Sequence, residues 1–269
     1  MCLTHLCAAS EFRPFDGPRP IAILIESNPW ASVIGADTPR VAIYENGDVI
    51  YTRRNGHGIG YRYVKLDTNE LETVRARIGP IFANKDIESS YDLVRGGTDR
   101  PTTMFYFRNG DREIATMVTG MTDGDAELPV RSQSPTVKKS DSFPHALLEL
   151  HKWLSKLDFA QSKEWSPKYV EVMLWDYSYA PGASIHWPKD WPALNSSRAI
   201  KRGDSYSVFL DIPLLPKLRE FLATGKKKGA VEIDGKKMAA SYRFVFPGEP
   251  SWRKAFAAAM IRSDESGGH

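Results

Sequence analysis

Histidine is the side chain best suited to moving a proton near neutral pH, and it catalyses when a carboxylate orients it toward a nucleophile. The chain carries six histidines. His5 and His269 are terminal, while His145 and His151 stand six apart on one expected helix, on different faces, which rules out an i, i+4 metal pair. His57 and His186 remain, both in loops, with Asp37, Asp176 and Asp190 as the carboxylates a fold would have to bring to them. A hydrogen-bonded or exposed loop histidine is the default expectation.

No linear catalytic signature supports more. The chain has no G-x-S-x-G elbow, Walker A loop, dinucleotide-binding glycine fingerprint, H-E-x-x-H or EF-hand pattern. Gly56-His57-Gly58-Ile59-Gly60 lacks the phosphate-loop lysine and falls between strands, so it reads as a flexible turn. The only cysteines, Cys2 and Cys7, sit in an end expected to fray, so no disulfide framework, thiol nucleophile, metal site or cofactor is expected in the core.

The segment from Trp175 to Pro192 is the most unusual, with three tryptophans, two tyrosines and three prolines in eighteen residues. The Trp187-Pro188 and Trp191-Pro192 steps force extended backbone and hold the rings at low entropic cost. Such rings either fold back as a lid on the sheet or present a recognition surface, and the lid is the favoured reading. If they face outward, the binding residues are Tyr179, His186, Trp187 and Trp191, joined by Trp30 from the loop after the apolar strand 21–25. Pseudo-symmetric halves would set Trp30 and Trp187 at one groove.

Three functional classes follow. The first is a non-catalytic binding protein of inhibitor or immunity type, with a protein partner. The second is a hydrolase whose His and Asp meet only in the fold. The third is a weak nucleic-acid-binding module. A net charge of +3 and a pI near 8.7 are only mildly basic. The tight cationic clusters, Arg53-Arg54 and Lys226-Lys227-Lys228, both flank turns, which disfavours the third class. No run approaches the roughly 18–20 apolar residues of a membrane helix. The start reads as cytoplasmic as written, or as exported if residues 6–10 are the remnant of a cleaved signal peptide.

The elements that must position these residues belong to an α+β fold with antiparallel sheets, β-hairpins and a few packed helices. Asn46-Gly47, Asn109-Gly110 and Asp234-Gly235 each separate β-prone runs and predict type I′ hairpins. Asp67 and Glu70 form a capping box before Leu71, Val74 and Ile78. Ser142 is expected to cap a helix carrying Leu147, Leu150, Leu154 and Leu157. Pro216 opens a third helix with Gly225 just past its end, and Trp252, Phe256 and Met260 mark a fourth. Residues 121–142 read as a long exposed loop.

Read in order, these elements suggest tandem related ββαββα-like halves over 12–160 and 165–262. Leu66-Asp67, Leu71, Val74-Arg75 and Ile78 match Leu210-Asp211, Leu215, Leu218-Arg219 and Leu222 at one constant offset.

Overall fold

The computed structural model describes residues 12–27, 37–55, 58–93, 100–121, 130–131, 143–226 and 228–267. Trp30, His57, Ser142, Lys227, both cysteines and the terminal His5 and His269 lie outside the described residues. So do the centre of the glycine-rich turn and the signal-like start.

From Pro20 to Glu164 the chain forms β1 (Pro20–Ser27), β2 (Val41–Tyr44), β3 (Asp48–Asn55), β4 (Gly58–Lys65), helix α1 (Thr68–Ala83), β5 (Ser90–Leu93), β6 (Thr102–Asn109), β7 (Arg112–Thr119), β8 (Val130–Arg131), helix α2 (His145–Ser155) and β9 (Lys163–Glu164). It continues as β10 (Tyr169–Asp176), β11 (Ile185–His186), β12 (Ala199–Arg202), β13 (Ser205–Asp211), helix α3 (Leu215–Thr224), β14 (Val231–Ile233), β15 (Lys236–Phe244) and helix α4 (Glu249–Gly267). The expected α+β class is observed. The described helices include none long and apolar enough to cross a membrane.

Two compact units result. One comprises Gly17–Ser166 with Pro247–His269, the other Pro167–Phe246 with the described part of Met1–Asp16. Helix α4 therefore belongs to the unit built from the earlier part of the chain.

The larger unit is a nine-stranded sheet in the order β8-β5-β7-β6-β1-β2-β3-β4-β9, antiparallel except between β5 and β7. Strand alternation divides its side chains between two faces. Phe105 and Phe107 of β6 join a core with Val74 and Ile78 of α1 and Leu147, Leu150 and Leu154 of α2. Tyr106 points the other way, toward Ser251 of α4, which packs on β6 and β7. Helix α1 starts where the sequence predicts, because Glu70 N–H donates to Asp67 at 2.8 Å and Asp67 N–H donates back at 2.9 Å.

The hairpin turns depart from expectation in two of three cases. Between β2 and β3 the loop has three residues: Gly47 N–H bonds Tyr44 O at 2.9 Å, and positive φ falls on Gly47 alone, at 88°. That is a type I turn closed by a glycine bulge, the usual three-residue solution. A Cβ at Gly47 would also lie 2.7 Å from the Leu66 carbonyl oxygen. Between β6 and β7, Asn109 pairs with Arg112, so the loop is Gly110-Asp111 with positive φ at Gly110 only. Asp234 (φ 47°) and Gly235 (φ 73°) between β14 and β15 do adopt the expected type I′ pattern. The stretch 121–142 contains β8, paired to β5, so it is not loop throughout. Helix α2 begins at His145, after Pro144, without a side-chain cap.

The smaller unit has six strands in the order β11-β14-β15-β10-β13-β12. Val170, Val172, Leu174, Val208 and Leu210 face Leu218 of α3, while Tyr169, Phe209 and Val245 on the other face pack with Phe12 and Phe15. On that second face Glu171 and Arg243 sit directly across the β10–β15 ladder and form a buried ion pair, and Ser207 donates to Glu171 at 2.5 Å. In both sheets a central strand is flanked by two hairpins. The first arms of the hairpins, β2 and β6, pair with β1, whereas the second arms, β13 and β15, pair with β10.

Candidate functional site

Polar side chains of the larger unit converge at one end of its sheet. Arg40 N–H bonds Leu24 O and Thr52 N–H bonds Arg40 O, each at 2.8 Å, and Thr52 faces Tyr61 in register. The chain thus lays Glu26, Arg40, Thr52 and Tyr61 in a row across successive strands. The last turn of α2 and the residues after it complete the wall with Ser155, Lys156, Leu157 and Asp158. These groups enclose an open cleft of about 550 Å³, within the range small-molecule sites occupy.

Arg40 organises it. Its Nη1 donates to both Glu26 oxygens, at 2.7 and 2.6 Å, and its Nη2 to the Ser155 carbonyl at 2.8 Å. The last carbonyls of a helix have no partner within the helix and carry partial negative charge, so a guanidinium there is favourable. His151 comes from the buried stripe of α2, one turn after Leu147, with its side chain only 4 % exposed; its Nε2 lies 3.2 Å from Glu26 Oε1. Burial pushes the Glu26 carboxyl up, but the bonds from His151 and Arg40 outweigh it and hold the group below its ordinary value.

A second pair lines the outer wall. Arg53 Nη2 lies 3.2 Å from Asp158 Oδ2, and Tyr51 donates to Asp158 Oδ1 at 3.2 Å while accepting from Phe159 N–H at 3.1 Å. The hydroxyls of Thr38 and Tyr61 are bonded to each other at 2.6 Å. The Tyr61 ring meets Trp165 edge-on, with centroids 5.6 Å apart.

The described binding candidates, Tyr179, His186, Trp187 and Trp191, belong to the smaller unit. Trp187 and Trp191 are 8 % and 7 % exposed, and they pack edge-on against each other and against Phe221 of α3. Trp187 Nε1 donates to Pro192 O at 3.1 Å, and its backbone N–H to Glu232 O at 2.9 Å. This is the lid arrangement, with the polar edge of the Trp187 indole bonded within its own loop. Tyr179 stays 77 % exposed, against Tyr177. His186 is 80 % exposed on its side chain, and its Nδ1 is 3.8 Å from Glu232, beyond hydrogen-bond reach. A hydrolytic dyad on His186 therefore lacks its oriented carboxylate.

The dyad that does form, His151 with Glu26, joins residues 125 positions apart, a separation that spacing in the sequence does not reveal. The available signal was a histidine on the leucine face of α2. The described residues hold no group of three or more His, Cys, Asp or Glu arranged to take a metal ion. No family model, curated protein or solved structure matches this chain.

Proposed function

We propose that this protein binds a small polar ligand in the cleft at the Glu26–Arg40 end of its larger sheet, without converting it. The observation that carries the reading is the Arg40 guanidinium, held from two sides by Glu26 and the Ser155 carbonyl while its side chain keeps 34 % of its surface open. A group already locked in place loses little entropy when a ligand arrives, which is how a site converts contacts into affinity. Binding is favoured over hydrolysis because the Glu26 carboxylate, tied to Arg40 and His151 and held below its ordinary value, is a weak base.

A fragment screen read by protein-observed NMR tests this. Fragments that bind shift the resonances of Thr38, Arg40, Thr52, Tyr61 and Ser155. Hits confined to other surfaces overturn it.

The exposure of Tyr179 and His186 favours a second reading, in which the smaller unit offers this loop to a protein partner. Trp187 and Trp191 then act as the packed base that stiffens it. Affinity capture with the Tyr179→Ala/His186→Ala variant checks it. A partner held equally well by the variant removes the loop from the interface.

A further inference from the structure

Resting on the cleft as a ligand site, we infer that its ligand is a neutral polyhydroxylated molecule, a saccharide, rather than an anion. The charged groups of the wall come in opposed pairs. Glu26 is bonded to Arg40 and Asp158 faces Arg53 at 3.2 Å. A carboxylate held against each guanidinium cancels most of the field that would draw an anion inward, leaving Lys156 as the further cation among the described residues that line the cleft.

What the wall offers instead is donors and acceptors in alternation. Arg40 and Arg53 donate, Glu26 and Asp158 accept, and the hydroxyls of Thr38, Thr52 and Tyr61 do either. A sugar hydroxyl is both donor and acceptor, so vicinal hydroxyls match such a wall, whereas a phosphate or carboxylate meets acceptors it repels.

A glycan array probed with the full chain, followed by NMR titration of the strongest neutral glycan, decides the matter. The expected result is binding that moves the Thr38, Thr52 and Tyr61 resonances. It changes little when salt rises from about 0.1 M to about 1 M, because no net charge is neutralised. The Arg53→Gln/Asp158→Asn variant removes a half-exposed ion pair while keeping an amide oxygen that can accept from Tyr51, and its melting curve verifies the fold; it weakens binding by about tenfold or more.

Inorganic phosphate shifting the cleft resonances while no neutral glycan binds overturns the saccharide inference and leaves the ligand cleft standing. Glycan affinity unchanged in the variant overturns it too. Silence of the cleft toward glycans, phosphate and fragments alike removes both readings.

Discussion

His151 Nε2 lies 3.2 Å from Glu26 Oε1, joining residues 125 positions apart in the chain. Through this contact and the Arg40 bond to Ser155 O, the end of α2 is fastened to the ends of β1 and β2. The network that shapes the cleft is thus also part of what holds the larger unit together, and its titration reports on both.

Acid should expose that coupling. The Glu26 carboxyl sits below its ordinary value of 4.5 in the folded chain, so its stabilising contribution is present above about pH 4.5 and is lost as pH falls through the folded value. Glu26→Gln removes the titration. The difference in urea midpoint between wild type and variant should therefore shrink as pH is lowered from about 6 to about 3. A difference that stays constant across this range breaks the linkage.

The two buried indoles predict a stability effect, where a contact surface would predict none. Trp187→Ala and Trp191→Ala each leave a cavity against Phe221 and should cost about 3–5 kcal/mol in denaturant unfolding. Tyr179→Ala, on an exposed ring, should change stability by no more than about 0.5 kcal/mol. Equal effects at the three positions would contradict the packing.

Glycine at the first two hairpins is required for different reasons. At Gly110 a Cβ meets open space, so Gly110→Ala carries only the left-handed backbone cost of about 1–2 kcal/mol. At Gly47 the same φ region is combined with the close Leu66 oxygen. Gly47→Ala should lower the thermal midpoint further than Gly110→Ala, and the reverse order would count against the close approach.

Glu171 and Arg243 are both almost fully buried, their side chains 2 % and 3 % exposed. Glu171→Leu takes a buried carboxylate from Arg243 and the acceptor from Ser207, so it should destabilise by about 3 kcal/mol or more. Glu171→Leu with Arg243→Met should recover most of that loss, because two apolar side chains replace the pair. A double variant no more stable than Glu171→Leu alone would show that the charges are not coupled.

Much of the local structure was determined by sequence alone. The Asp67–Glu70 capping box, the leucine stripe of α2, the Pro216–Gly225 limits of α3 and the three hairpins all depend on residues a few positions apart, where backbone preference and side-chain period act directly. Even there, the turn types at Gly47 and Gly110 depended on strand register, which two short runs do not specify alone. Tertiary structure decided the rest. Whether the indoles of Trp187 and Trp191 face water depends on Phe221, supplied by another element. The pairing of Glu26 with His151, or of Glu171 with Arg243, depends on strand order and helix docking over separations of 125 and 72 residues. Burial and charge pairing are properties of what lies opposite a side chain, and only the folded chain brings the opposite side chain there.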